Sequence, residues 1–362
     1  MAKARVLVVD DSAFMRKVIS DMIAQDDAFE VIGTARDGLD ALEKIERLQP
    51  DVVTLDVEMP RKDGLATLRE LMGKRPVPVI MLSSVTQAGT KATMDALALG
   101  AVDFIAKPSG SISLDIEDVR DELLRKLKAA VGARVQATTL PPPPATRVIA
   151  GQGVPPHQPV PSGGVRPTTT VLIAIGASTG GPRALEEVIR QFPGDLPAGV
   201  LVVQHMPAGF TRSMAERLDQ IASVRVKEAQ EGDRVSAGVV YIAPGDYHMT
   251  VSREQVIHLE QSPSVNYVRP SIDVTMLALP AVYSTQLVGV ILTGMGKDGS
   301  AGMAKIRAAG GVTIVQDENT STIYSMPRAV VENGDADFVL PLDRIGDAVV
   351  RAALKLQKRV GP

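Results

Sequence analysis

Apolar residues along the chain fall into short unbroken runs, each followed by a longer stretch with helical spacing. The first runs lie at 6–9, 31–34, 52–55, 79–82 and 102–105, and helical patterns follow at 14–25, 38–48, 64–73, 87–99 and 115–131. A strand that is apolar on both faces has helices on both sides, so five such β–α units predict a parallel sheet in a doubly wound fold. A second series has runs at 171–175, 199–203, 287–292, 312–315 and 338–340, with helices expected at 182–191, 209–220, 271–280, 299–309 and 342–358. Residues 224–260 read as several short strands with turns at Ala243–Asp246 and Ser252–Glu254, which predicts an antiparallel edge. Between the two series, Thr138–Thr168 holds nine prolines, including Pro141–Pro144, and several glycines. Such a segment cannot bury a core and is expected to be a semi-extended linker. The chain of 362 residues is therefore read as two α/β domains joined by a Pro-rich linker.

Composition narrows the chemistry. There is no cysteine, which removes disulfides, iron–sulfur clusters and thiol catalysis. His157, His205, His248 and His258 are too widely spaced for a His-x3-His metal pair. Aromatics make up 3% and Trp is absent, so the cores must be aliphatic. A net charge of -3 argues against non-specific binding to nucleic acid or an anionic membrane. Residues 274–296 carry no charge, but Pro280 and the polar run Tyr283–Gln286 break the stretch, which reads as helix, loop and buried strand. The N-terminus runs straight into a strand pattern without a signal peptide, and a soluble cytoplasmic protein is expected.

In parallel sheets function gathers at the C-terminal ends of the strands. The first strand of the chain ends in Asp10 and Asp11, the third in Asp56, the fourth in Ser83 and Ser84, and the fifth just before Lys107-Pro108. Clustered carboxylates need a cation, and an all-oxygen set suits Mg²⁺. Asp56 can act as a phosphoryl acceptor, with Asp10 and Asp11 on the metal, Lys107 on the phosphoryl group and the Ser83 hydroxyl following it. These residues, with Met59-Pro60 and Asp63-Gly64, make residues 3–125 resemble a response-regulator receiver domain. The resemblance implies a flavodoxin-like (βα)5 fold, phosphate transfer from a sensor histidine kinase, and Mg²⁺ at Asp10, Asp11 and Asp56. Phe104 falls where that family often has an aromatic that reorients after phosphorylation; a core Phe is the other reading.

The first strand of the second series runs into Gly176-Ala-Ser178-Thr-Gly180-Gly181-Pro182. A Gly-x-Ser-x-Gly turn between strand and helix lifts a serine to the top of a sheet, beside the free N–H groups of the helix start. His205 ends the next strand, and Asp298 lies in the small-residue loop Thr293–Gly299 after a further buried strand. The three make a nucleophile, a general base and an orienting carboxylate. A phosphate or dinucleotide turn remains the competing reading of the glycines, and a non-catalytic docking module is a further alternative.

Residues 170–358 resemble the catalytic domain of the chemotaxis protein-glutamate methylesterases, the CheB family. The resemblance rests on the Ser178 turn, Val203–Pro207, Ala243-Pro-Gly245, Arg269-Pro-Ser-Ile-Asp273 and Leu292–Gly299. It implies a Ser178, His205, Asp298 triad, an oxyanion site near Met295 with support from Thr179, and no cofactor for the esterase step. It also implies glutamate γ-methyl esters of chemoreceptors as substrate, deamidation of specific glutamines, a CheA-type kinase as partner, and a receiver that restricts the active site until Asp56 is phosphorylated. Arg269 is a candidate substrate contact, with Arg212 and Arg217 weaker ones. The expected division is receiver 1–130, linker 131–168 and catalytic domain 169–362. Neither nucleic-acid binding nor membrane insertion is expected.

Overall fold

A computed structural model describes residues 2–107, 115–133 and 169–359. The Pro-rich linker, His157 and Pro108 lie outside the described residues. The N-terminal block alternates β1 (Ala4–Val9), α1 (Ala13–Ile23), β2 (Phe29–Ala35), α2 (Gly38–Leu48), β3 (Val52–Asp56), α3 (Gly64–Lys74), β4 (Val79–Ser83), α4 (Gln87–Leu99), β5 (Asp103–Ala106) and α5 (Asp115–Val131). Its five strands form a parallel sheet in the order β2-β1-β3-β4-β5. The sequence builds the helix starts locally. Ser12, Asp37, Asp63 and Thr86 each accept a backbone N–H of the first turn that follows, so four of the five helices begin on a side-chain cap. The order reverses between β1 and β3, and the crevice at that point opens over Asp10 and Asp56.

The C-terminal block contains β6 (Val171–Ala177), α6 (Gly181–Arg190), β7 (Ala198–Gln204), α7 (Phe210–Ile221), β8 (Arg225–Glu228), β9 (Val239–Ile242), β10 (His248–Val251), β11 (Ile257–Glu260), α8 (Ile272–Ala278), α9 (Pro280–Tyr283), β12 (Leu287–Ile291), α10 (Ser300–Ala308), β13 (Val312–Gln316), α11 (Ser325–Glu332), β14 (Phe338–Leu340) and α12 (Leu342–Lys358). Seven strands form a parallel sheet in the order β14-β13-β12-β6-β7-β9-β8. The antiparallel pairing expected past residue 224 is the hairpin β10–β11, a separate two-stranded sheet packed on α8. The helix expected over 271–280 is divided: α8 ends at Ala278 and α9 begins on Pro280, because proline offers no N–H to the preceding turn. Helix α11 was not expected; Pro327 sits in its first turn, where no intrahelical donor is required. The uncharged stretch 274–296 becomes α8, α9, β12 and a loop. No helix among the described residues is long and apolar enough to cross a membrane.

The central strands are fully buried. β6 and β7 carry no exposed residue along their lengths, and aliphatic side chains fill both faces of the sheets. Each buried Val, Ile or Leu contributes ~1.5–3 kcal/mol relative to exposure. The register Ile291↔Gly176 and Ala177↔Gln204 brings the ends of β12, β6 and β7 to one level. That level lies at the reversal of strand order on either side of β6, where Ser178, His205 and the 293–299 loop emerge.

Candidate active site and phosphoacceptor cluster

At the crevice of the first sheet, the Lys107 ammonium lies 2.8 Å from Asp10 Oδ2 and 2.7 Å from Asp56 Oδ2. Asp10 and Asp56 are buried, Asp11 is exposed, and oxygens of all three lie within 4.8 Å of one another. An all-oxygen donor set of this kind fits a hard divalent ion such as Mg²⁺. Burial pushes the Asp56 carboxyl up to about 6, with Asp10 adding to the rise and Lys107 opposing it. Burial also works against the Lys107 charge, yet Asp10 and Asp56 outweigh it and raise its pKa. Ser83 does not reach the carboxylates through its hydroxyl, which bonds Gly89 O and accepts from Thr93 Oγ1 at 2.6 Å on α4; its carbonyl receives the Lys107 N–H at 2.7 Å.

Gly64 shows why this site demands a glycine. A Cβ there would meet Asp56 O at 2.1 Å and Val57 Cα at 2.9 Å, both backbone atoms that cannot swing away. Gly64→Ala is expected to destabilise the N-terminal block by about 1–3 kcal/mol, read as a lowered urea midpoint; an unchanged midpoint would contradict the close approach.

The serine turn is built from contacts on all sides. Ser178 donates its N–H to Thr293 O at 3.1 Å, and its carbonyl accepts from Gly181 N–H at 2.7 Å and from the Gln204 carboxamide at 2.9 Å. Gly180 sits at φ 77°, the left-handed conformation that lets the chain enter α6 directly after the serine. Ser178 is 5% exposed. On the neighbouring strand, His205 donates its N–H to Ala177 O at 3.1 Å, so the two side chains leave adjacent strand ends.

His205 Nε2 lies 2.8 Å from Asp298 Oδ2. Asp298 also receives the Ile272 N–H at 2.7 Å, the Ser271 hydroxyl at 2.8 Å, and longer bonds from Asp273 N–H and Asn266 Nδ2, both 3.2 Å. Burial by itself would raise this carboxyl, but His205, the Ile272 N–H and the Ser271 hydroxyl hold it down at about 2. The ionised carboxylate only accepts, so Nε2 of His205 carries hydrogen and Nδ1 is left as the basic nitrogen.

Other candidates fall into place around this centre. Met295 is half-buried and lines a cleft of about 380 Å³ with Tyr324, Arg328 and, from the other block, Lys128. Among the described residues, no hydrogen bond uses the Met295 N–H. Arg269 is engaged by Asp246 and by the carbonyls of Gln261 and Ser262, so it braces its own segment. Arg212 is exposed on Glu228, and Arg217 bridges Glu186 at 3.0 Å and Asp95 of α4 at 2.7 Å. Thr179 donates its hydroxyl to Asp103 Oδ2 at 2.6 Å, a bond from the residue after Ser178 to the first residue of β5. Beside it the Phe104 and Phe210 rings lie 4.3 Å apart, and Thr90 and Ser213 hydroxyls are 2.8 Å apart. Phe104 is thus buried between the blocks, with the Lys126 ammonium over its ring.

Two family models match the chain: the response regulator receiver domain over residues 6–116 and the CheB methylesterase over residues 173–349. A protein-glutamate methylesterase/protein-glutamine glutaminase of Symbiobacterium thermophilum is 56% identical over 96% of this chain and 96% of its own length. The chain belongs to the CheB methylesterase family. A protein-glutamate methylesterase/protein-glutamine glutaminase of Pyrococcus abyssi is 49% identical over 97% of this chain and 94% of its own. The crystal structure of the Thermotoga maritima CheB methylesterase catalytic domain is 43% identical, covers 50% of this chain and 97% of that one, and gives a TM-score of 0.49. Within this CheB chain the sequence alone singled out Ser178, His205, Asp298, Asp10, Asp56 and Lys107. It missed Ser271, Asn266, Gln204 and Asp103. Ser271 stands inside Arg269-Pro-Ser-Ile-Asp273, a stretch already noted without a role for its hydroxyl.

Proposed function

We propose that the protein hydrolyses glutamate γ-methyl esters on the cytoplasmic helices of chemoreceptors, and deamidates specific glutamines there by the same acyl chemistry, under control of phosphorylation at Asp56. The observation that carries the reading is the His205–Asp298 pair at 2.8 Å, one strand from the Ser178 turn. Ser178 Oγ attacks the ester carbonyl carbon as Nδ1 of His205 takes its proton. The C–O bond to the methoxy group then breaks, and that proton leaves with it as methanol. Water, deprotonated by His205, attacks the acyl-enzyme and releases the glutamate carboxylate and free Ser178. The Met295 N–H, with Thr179 holding the turn, stabilises the oxyanion. Arg269 acts by bracing its segment and not as a substrate contact. A nucleotide-binding role for the glycine turn is not favoured in a member of this family.

In the receiver, Asp10, Asp11 and Asp56 would hold Mg²⁺, which neutralises charge on the transferred phosphoryl group. The donor is a sensor histidine kinase of the CheA type. A phosphoryl group on Asp56 adds about -1.5 to -2 charge beside Lys107. Lys107 is joined through its N–H to Ser83, and Ser83 through its hydroxyl to α4, which packs on α7. Through these groups and through β5, which carries Asp103 and Phe104, phosphorylation loosens the hold of the receiver on the Ser178 turn. Moving from 99% closed to 99% open takes ~5.5 kcal/mol of differential stabilisation; smaller shifts take less.

The test is methanol release from methylated receptor membranes by the full chain, with and without acetyl phosphate and Mg²⁺. Release is expected, rising with the phosphodonor in the wild type and not in Asp56→Asn. Asp103→Ala is expected to raise the unphosphorylated rate. No methanol under any condition would overturn the esterase reading, and release indifferent to phosphodonor and to Asp103→Ala would overturn the control.

A further inference from the structure

His248, the first residue of β10, is completely buried, outside the Ser178–His205–Asp298 set. Its Nδ1 accepts the Ser271 N–H at 3.1 Å, and its Nε2 faces Pro263 O at 3.2 Å. An amide N–H can only donate and a carbonyl can only accept. The ring is therefore fixed as the neutral tautomer with hydrogen on Nε2, and it ties together both ends of the segment 263–271.

That segment surrounds Asp298. Asn266 reaches Oδ1 from its middle, and Ser271 donates its hydroxyl to Oδ1 at 2.8 Å from its end. Ser271 is itself fully buried, and the backbone that it begins supplies the Ile272 and Asp273 N–H groups to the same carboxylate. A continuous row of hydrogen bonds thus runs from Pro263 O through His248, Ser271 and Asp298 to His205 Nε2. We propose that His248 is a positioning residue of the hydrolytic centre: through Ser271 it sets where Asp298 stands, and so the angle at which His205 presents Nδ1 to Ser178. The inference rests on the hydrolase reading above. It assigns His248 no contact with substrate. Displacing a reacting group by about 1 Å costs on the order of 10² in rate, so a loosened Ser271 shows in turnover more than in binding.

Two amides separate this role from simple core filling. Asparagine places its carbonyl oxygen where Nδ1 stands, retaining an acceptor for the Ser271 N–H. Glutamine carries its amide one carbon further out, near Nε2, and leaves that N–H unmet. In the full phosphorylated chain, His248→Gln is expected to lower kcat for methanol release about 10–100-fold with KM within about twofold, while His248→Asn stays within about threefold of wild type. The low-field proton resonance of His205 Nε2–H is expected to move in His248→Gln and to hold in His248→Asn. Equal losses in both variants, or no loss in either, would overturn the proposal. If His248→Gln does not fold, Ser271→Ala carries the test. Its kcat loss must then appear equally in the wild-type and His248→Asn backgrounds; unequal loss would count against the row. Should the wild type release no methanol at all, the esterase reading falls, and the proton resonance still decides the role of His248.

Discussion

Ser178→Ala is expected to remove on the order of 10⁶ of turnover and to leave the protein folded. The size follows from the way a nucleophile and its base work as one unit: without Oγ there is no acyl-enzyme, and His205 has no proton to take. The residue supplies little else. Its backbone, not its side chain, makes the bonds to Thr293, Gly181 and Gln204, and alanine retains all of them. Methanol release measures the loss, and thermal unfolding of the same sample checks the fold. Because the oxyanion donors and the binding surface persist, the residual rate should exceed that of water, and KM should barely move. A variant that retains a tenth of wild-type kcat would place the nucleophile elsewhere.

Asp298→Asn is expected to lower kcat by about 10⁴. Two separate effects act here. An asparagine amide can present its N–H₂ to His205, and the imidazole then turns its hydrogen-bearing nitrogen toward Ser178, where a base is required. The amide also offers one accepting oxygen where the carboxylate used both, receiving Ile272 and His205 on Oδ2, and Ser271, Asp273 and Asn266 on Oδ1. Stability should change in a pH-dependent way. The Asp298 carboxyl is held at about 2, below its ordinary 3.8. A depressed carboxyl contributes stability that is complete above its unfolded value and is lost as pH falls through the folded one. The difference in unfolding free energy between wild type and Asp298→Asn should therefore be largest above pH 3.8 and shrink toward pH 2. Urea melts across that window read it. A pH-independent difference would mean that the carboxylate charge is not what the surrounding donors stabilise.

Much of this was legible before any coordinates. The alternation of apolar runs and helical spacing located the central strands because a parallel sheet covered on both sides leaves an unmistakable local mark. Strand-end residues such as Asp10, Asp56 and Ser178 were readable for the same reason: the topology fixes where such ends gather. What escaped was non-local or carried weak local signals. β8 and β9 run parallel to their neighbours although short strands joined by turns suggested otherwise, since strand direction depends on the path of the chain. Helix α11 was hidden by Pro327, harmless in a first turn. From the sequence Arg269 could equally contact a substrate or brace the helix at Pro270, and its bond to Asp246, a residue 23 positions away, has no local signal. Thr179 and Asp103 stand 76 positions apart, and nothing in either neighbourhood announces their bond. In the sequence His248 stood out as one of four widely spaced histidines, and its two partners, Ser271 N–H and Pro263 O, show what it faces.

The Thr179–Asp103 bond has a consequence for how such a protein can change over generations. The two halves meet by side chains that touch across space, one position from Ser178. Asp103 with Thr179, and Phe104 with Phe210, are then constrained to change as pairs. A swap of N-terminal halves between relatives would have to preserve those contacts together with the Thr90–Ser213 and Asp95–Arg217 bonds.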